Sequence, residues 1–164
     1  LFDMNSRYDV PGYGYQIAMG ETALAESWQS RDYLSHNHCM LGHLYSWLFS
    51  GIGGISQESG STAYKRIVID PQIVGDLRDA RVSFRSPYGL IRSEWKDAPD
   101  EFVQTIEIPA NATARICLPA TDPAKITESG KPVSGRKDMA VESGTDGRIE
   151  LHVGSGVYRI VVEK

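Results

Sequence analysis

Glu26 is the residue of this sequence best suited to proton-transfer chemistry. It follows a run of small and apolar residues, Thr22 to Ala25, and it stands two residues before Trp28. Apolar and aromatic neighbours disfavour the charged form of a carboxyl group, which suits a group that must exchange protons near neutral pH. The flat ring of Trp28 is able to stack on the apolar face of a sugar. The alternative, a solvated glutamate at a helix end beside a core tryptophan, stays open on these residues alone.

His38 lies shortly after Glu26 and is the second candidate for chemistry. It could donate a hydrogen bond to a substrate hydroxyl or orient a carboxylate, and the alternative is a structural histidine bonded to a nearby carbonyl. His36 and His43 lie close to it, but the spacing does not place them on one helix face with His38. No cysteine pair or H-E-x-x-H motif is present, so we predict no metal site. Phosphate-loop and dinucleotide-binding motifs are also missing, and no cofactor is predicted.

Tyr13 and Tyr15 form an aromatic segment together with the flanking Pro11, Gly12 and Gly14. Such a segment is able to line a sugar site, and it is equally able to pack at the entrance of a helix. We therefore include both tyrosines among the candidate substrate-binding residues, next to Trp28.

The elements around these residues are predicted to be helical. Apolar residues at helical spacing predict a helix over Asn37–Ser50, capped by Ser35 or Asn37 and ended by Gly51. A second helix is predicted near Gly14–Ala25. The first of these helices is apolar on more than one side and needs several neighbours to cover it. Because the sequence supplies so few, we expect the chain to show some self-association.

The remainder of the chain alternates apolar and polar residues and carries many turn residues, which is typical of short strands. The glycine- and serine-rich segment 51–60 separates it from the helical part, so we place a domain boundary between residues 55 and 56. About eight strands without intervening helices predict an antiparallel β-sandwich over residues 56–164. The seven most regular strands are expected at Tyr64–Ile69, Ala80–Phe84, Leu90–Trp95, Phe102–Ile108, Ala112–Leu118, Ile149–Val153 and Val157–Val162.

Composition excludes several classes of protein. The 164 residues are 41% hydrophobic and 23% charged, as in ordinary globular proteins, and the net charge of -4 gives no basic surface for nucleic acid. No apolar run approaches the roughly 20 residues that span a bilayer, so no membrane span is predicted. Cys39 and Cys117 are expected to be free thiols rather than a disulfide. The sequence does not indicate a compartment.

The chemistry-bearing motifs resemble one known family. The resemblance covers nearly the whole chain and keeps the order of the motifs, which are Pro11–Tyr15, Gly20–Trp28, Ser35–His38, Met40–Gly42, Tyr64–Ile67, Ile69–Pro71, Ser86–Gly89, Ser93–Trp95, Ile108–Ala114 and Glu128–Gly130. Together they are similar to the end of the bacterial α-L-rhamnosidases of glycoside hydrolase family 78. The resemblance implies an α+β chain of several parts. Residues 1–55 would be the last helices of a truncated (α/α)6 catalytic barrel, and residues 56–164 a C-terminal, mainly β, antiparallel sandwich.

The resemblance also implies a reaction, the inverting hydrolysis of terminal α-L-rhamnose from a rhamnosyl glycoside or polysaccharide. Glu26 matches the family's general base, and His38 matches a histidine that contacts substrate. The family's general acid belongs to an acidic motif far upstream that this sequence lacks, so the chain alone is expected to be inactive. Ala25 stands where the family often has tryptophan, which puts substrate preference in doubt. The alternatives are a sugar-binding sandwich module without chemistry and a purely structural sandwich.

Overall fold

The computed structural model describes all of residues 1–164, which divide into two compact units, Leu1–Leu48 and Phe49–Lys164. The first unit contains three short helices: α1 at Phe2–Ser6, α2 at Tyr13–Ala18 and α3 at His43–Trp47. A π-helical turn, Leu48–Ile52, follows α3 directly. Between α2 and α3 the backbone forms turns and irregular segments.

Helix α2 ends earlier than the sequence predicts, at Ala18 rather than near Ala25. Gly20 has a φ of 86°, and the N–H groups of Gly20 and Glu21 donate to the carbonyls of Ile17 and Gln16. This pair of bonds is a Schellman motif, in which a glycine adopts the left-handed conformation that closes a helix. Glu26 therefore lies outside any helix.

Helix α3 begins six residues later than the predicted Asn37, and the predicted capping by Ser35 or Asn37 is wrong. The N-cap is Gly42, which makes no side-chain hydrogen bond. The N–H of Met40 donates to Nδ1 of His38 at 3.0 Å, and that of Gly42 donates to the carbonyl of Cys39 at 2.9 Å. These local turns take up the backbone donors that a longer helix would need.

The second unit is a sandwich of two sheets. The five-stranded sheet has the order β1-β2-β6-β10-β9 and the six-stranded sheet the order β3-β4-β5-β11-β7-β8. The strands are β1 Ile55–Gln57, β2 Arg66–Ile69, β3 Asp79–Ser86, β4 Gly89–Asp97, β5 Glu101–Ile108, β6 Thr113–Leu118, β7 Ile126–Glu128, β8 Lys131–Pro132, β9 Ala140–Ser143, β10 Ile149–Val153 and β11 Gly156–Glu163. A 3₁₀ turn at Pro123–Lys125 precedes β7.

The core of the sandwich is formed by the inward-facing residues, which alternate with outward-facing residues along each strand. Its largest fully buried side chains include Phe102 and Ile106 of β5, Ile116 of β6, Leu151 of β10 and Ile160 of β11. The indole N–H of Trp95 is buried and donates to the carbonyl of Ile52 at 2.8 Å. Inward apolar and outward polar residues on both sheets confirm the predicted mainly β sandwich with a short helical segment before it.

Three features of the sandwich differ from the sequence prediction. Strands β2 and β6 pair in parallel, whereas all the other pairs are antiparallel. Four short strands, β1, β7, β8 and β9, were not among the seven regular strands expected. Strand β2 also starts at Arg66 rather than Tyr64, because Ala63 and Tyr64 have positive φ values of 55° and 64° and cannot extend the strand. No helix of the structure has both the length and the apolar character needed to cross a bilayer.

Candidate functional site

Two irregular segments of the first unit, residues 24–28 and 35–38, lie side by side and carry Glu26 and His38. The N–H of Glu26 donates to the carbonyl of Ser35, and the N–H of His38 donates to the carbonyl of Leu24, each at 2.8 Å. We call this pair of segments the base loop. Its two backbone bonds bring the candidate acid–base residue and the candidate substrate-contacting residue onto neighbouring stretches of chain.

Gln16 of α2 holds the first segment of the base loop. Its Nε2 donates to the carbonyl of Ser27 at 3.1 Å, and its Oε1 accepts from the N–H of Ala25 at 3.3 Å. Gln16 is buried, at 3% exposure, so these bonds have little competition from water. Because they join the residues on either side of Glu26, they fix the backbone from which that side chain projects.

The Glu26 carboxylate is itself partly held. Its Oε2 accepts from the N–H of Ser35 at 3.1 Å, and the side chain is half-buried. A carboxylate can accept up to about four hydrogen bonds, so this single bond leaves acceptor capacity for a water molecule or a sugar hydroxyl. The group is oriented from one side without being saturated.

His38 is half-buried, and its Nδ1 accepts the N–H of Met40 at 3.0 Å. A neutral imidazole carries one proton, so an accepting Nδ1 assigns that proton to Nε2. The Nε2–H is then a hydrogen-bond donor. The local turn that shortens α3 thus also selects the tautomer of His38.

Tyr13 and Trp28 pack edge to face, with ring centroids 4.9 Å apart. Tyr13 is buried, its hydroxyl donates to the carbonyl of Leu41 at 2.7 Å, and burial raises the pKa of this phenol. Trp28 is half-buried, and so is Tyr15 on α2. Of the five candidate residues, Tyr13 and Trp28 are joined by this ring contact, and Glu26 and His38 lie on the two segments paired by backbone hydrogen bonds. No side-chain hydrogen bond or ring contact joins Tyr15 to the other four.

The sequence did not single out the residues that support this arrangement. Gln16 acts through its contacts with backbone atoms of the base loop and belongs to no motif, while Ser35 lies in a motif but acts through its own backbone, so its residue type does not indicate this role. The hydroxyls of Ser27 and Ser30 are buried and have no hydrogen-bond partner. A cavity of about 380 Å³ also lies in this unit, and Tyr13 is the one candidate residue among those lining it. No group of three or more His, Cys, Asp or Glu side chains is placed to hold a metal ion.

Comparison with protein families gives two matches along the chain. Residues 1–52 match the model of the bacterial α-L-rhamnosidase six-hairpin glycosidase domain, and residues 54–132 match that of the bacterial α-L-rhamnosidase C-terminal domain. The first match contains all five candidate site residues, and the second lies within the sandwich.

Individual relatives agree with these matches. An α-L-rhamnosidase of Streptomyces avermitilis is 30% identical to this chain, over 93% of this chain and 15% of the relative. An α-L-rhamnosidase of Formosa agariphila is 25% identical, over 95% of this chain and 17% of the relative. The crystal structure of a Streptomyces avermitilis α-L-rhamnosidase complexed with L-rhamnose has a TM-score of 0.83 and 28% identity. The match covers 98% of this chain and 16% of the Streptomyces chain. The structure of a Dictyoglumus thermophilum α-L-rhamnosidase has a TM-score of 0.85 and 26% identity, and the match covers 99% of this chain and 18% of the Dictyoglumus chain. The chain thus spans about one sixth of the length of these relatives.

Proposed function

This chain belongs to the bacterial α-L-rhamnosidase family, and we propose that it forms the C-terminal part of a larger glycoside hydrolase that releases terminal α-L-rhamnose. In this proposal residues 1–55 are the last helices of the catalytic barrel and residues 56–164 are a sandwich that follows it. The family matches over residues 1–52 and 54–132 support this division. So do the many large apolar side chains that the helical unit leaves exposed, because the rest of a barrel would cover them.

Glu26 is the general base in this proposal. An inverting glycosidase needs one carboxylate to activate water and a second carboxyl group, roughly 6.5–9.5 Å away, to protonate the leaving oxygen. Glu26 has free acceptor capacity toward a water molecule, and its backbone is fixed on both sides by Gln16. The acid would come from a part of the enzyme outside residues 1–164.

The remaining candidates form the sugar-binding wall. His38, with its proton on Nε2, donates a hydrogen bond to a sugar hydroxyl, and Trp28 offers its ring to the apolar face of the sugar. Tyr13 holds the Trp28 ring from its edge, and Tyr15 extends the wall on α2. The observation that carries the proposal is the pairing of residues 24–26 with residues 35–38, because it brings base and sugar contact together.

A graft tests the role of Glu26. Residues 1–164 would replace the matching C-terminal segment of the Streptomyces avermitilis relative, whose fold they share along almost their whole length. We expect the graft to hydrolyse an aryl α-L-rhamnoside with inversion, measured by NMR of the released sugar. The substitution Glu26→Gln should lower kcat by about a thousandfold or more, because it removes the base but keeps the size of the side chain.

The control for this graft is Glu142→Gln, which neutralises an exposed carboxylate on β9 of the sandwich and should leave kcat unchanged. The isolated chain should show no turnover. An active Glu26→Gln graft would refute the assignment, and turnover by the isolated chain would refute the need for a second carboxyl group from outside.

For the sandwich itself we propose a structural role rather than sugar binding. Modules that bind sugars on a sheet surface usually offer exposed aromatic rings, but Tyr88 is the one large exposed aromatic residue of this unit, at 37% exposure. Calorimetry of the chain with L-rhamnose separates the two roles. Heat of binding that survives Trp28→Ala would favour the sugar-binding module.

A further inference from the structure

Glu21 and His36, the latter in the second segment of the base loop, form a hydrogen-bonded pair that the proposed mechanism does not use. Oε1 of Glu21 lies 2.7 Å from Nδ1 of His36, and the side chain of Glu21 is only 10% exposed while that of His36 is 42% exposed. A carboxylate accepts but does not donate, so Nδ1 of His36 carries the proton of this bond, in the neutral ring as well as in the charged one.

The position of this pair along the chain suggests its purpose. Glu21 is anchored at the end of α2, where its N–H donates to the carbonyl of Gln16. His36 directly follows Ser35, whose N–H and carbonyl both bond Glu26. Gln16 on α2 and Glu21 just beyond the end of α2 therefore contact the two segments of the base loop. Gln16 bonds the segment that carries Glu26, and Glu21 bonds His36 in the segment whose Ser35 N–H donates to the Glu26 carboxylate.

We infer that Glu21 and His36 are positioning residues, whose hydrogen bond keeps the N–H of Ser35 under the carboxylate of Glu26. This inference rests on the proposed role of Glu26 as the base. Without the pair, the side chain of His36 no longer ties this segment to Glu21. Exposed Ser35 then keeps the bond from the N–H of Glu26 to its carbonyl, but its own N–H is held less firmly against the carboxylate. Glu26 would then lose its one side-chain hydrogen bond, and the geometry of water activation would broaden.

Burial decides whether such a pair matters. Ion pairs between two exposed side chains contribute about 0–1 kcal/mol and often nothing. Here the carboxylate is largely removed from water, so its partner is harder to replace by solvent. The chain offers a matched exposed case in the sandwich, where Nε2 of His152 lies 3.6 Å from the carboxylate of Glu142, whose side chain is 64% exposed.

Amide hydrogen exchange on the ¹⁵N-labelled chain tests the inference directly. His36→Phe keeps a ring but removes the donor, and we expect it to speed exchange of the Ser35 N–H by about tenfold, as for loss of one charge-assisted hydrogen bond. Glu26→Ala, which removes the acceptor of that N–H, sets the limit of the effect. The N–H of Tyr15, bonded to the carbonyl of Arg7 in the same unit, should keep its rate. His152→Phe should leave Ser35 unchanged.

His36→Asn provides the rescue, because the amide nitrogen of asparagine takes nearly the place of Nδ1 and still donates. It should restore Ser35 exchange to within about threefold of the original rate. Three results would overturn the inference: unchanged Ser35 exchange in His36→Phe, equal acceleration of Ser35 and Tyr15, or no rescue by asparagine.

The same variants in the grafted enzyme show whether the position of the Ser35 N–H affects the rate of hydrolysis. His36→Phe should lower kcat with little change in KM, because the base rather than the sugar contact is displaced. A KM effect alone would overturn the assignment to the base. If the Glu26→Gln graft proves active, the proposed base is wrong, whereas the exchange experiment still decides whether Glu21 and His36 hold Ser35.

Discussion

The unit Phe49–Lys164 encloses its large apolar side chains between two sheets, whereas the unit Leu1–Leu48 leaves many of its own in contact with solvent. Exposed large apolar residues of the first unit are Leu1, Tyr8, Val10, Ile17, Met19, Tyr33, Met40, Tyr45 and Leu48, while those of the sandwich are Tyr88 and Val157. The sandwich has a continuous core, which supplies most of the free energy of folding.

The first unit relies instead on directional bonds from side chains to backbone. Gln16, Tyr13 and Glu26 each bond main-chain atoms of another segment. Such bonds fix geometry closely but contribute only about 1 kcal/mol each. The region that carries the proposed chemistry is therefore held in a defined geometry by weak bonds, and the more stable region carries none of the candidate residues.

Truncation in the sandwich core should have the largest effect on stability. Ile106 is fully buried on β5, and Ile106→Ala should lower the free energy of unfolding of the sandwich by about 2–5 kcal/mol, because it removes buried apolar surface and leaves a cavity. Urea denaturation followed by tryptophan fluorescence measures this. Val157→Ala, at a 68% exposed position, should change it by less than about 0.5 kcal/mol. Similar losses for both variants would show that the sandwich does not depend on its core.

The two cysteines compare the units chemically, since Cys39 is exposed in the first and Cys117 is buried in the second. Burial, and next the charge of Asp70, raise the pKa of the Cys117 thiol to about 11, so at pH 8 this group is almost entirely protonated and poorly nucleophilic. A thiol reagent at pH 8 should therefore modify Cys39 rapidly and Cys117 at least about a hundredfold more slowly. In denaturant both should react.

The matched control is Cys39→Ser, which should remove the rapid phase and leave the slow one. Raising the pH toward 11 should speed the reaction of Cys117, because the thiolate becomes abundant only there. Two rapid thiols in the native chain at pH 8 would contradict the enclosed environment of Cys117.

Self-association should show a smaller effect. Ile17 on α2 is 70% exposed, and Ile17→Ser should reduce the concentration-dependent association of the chain several-fold, measured by light scattering, because it removes exposed apolar surface. Val157→Ser alters an equally exposed residue of the sandwich and should leave association unchanged. A chain that stays monomeric at high concentration would instead show that the exposed surface of the first unit is too dispersed to bind a second copy.

The regular strands could be predicted because their side chains alternate. Ile149, Leu151 and Val153 on β10 are buried in turn, as the period of two requires. The two-residue β8 includes a proline and has both residues exposed, so no such pattern marks it. The parallel pairing of β2 with β6 depends on which distant strands meet, which alternation does not encode.

The helices and the site were harder to predict because side chains there accept backbone N–H groups that would otherwise form the hydrogen bonds of a helix. His38 accepts a main-chain N–H that a helix through Asn37 would use, so apolar periodicity overestimated the length of α3. The apolar neighbours of Glu26 were visible in the sequence, and its role remains a prediction. Its bond to Ser35 and the support from Gln16 join residues nine to eleven positions apart through the backbone, and residue type alone does not indicate such contacts.

The parallel pair of β2 and β6 has a consequence for the order of folding. Strands β3, β4 and β5 all lie between these two partners in the chain, and they belong to the other sheet. Consecutive antiparallel strands such as β3 and β4 need only a tight turn, whereas β2 must wait until a long stretch of chain has returned to meet it. We therefore expect the β3–β5 meander to act as the nucleus and to form before the five-stranded sheet closes. A nascent chain would keep the edge of β2 unpaired until residues beyond Leu118 have been synthesised.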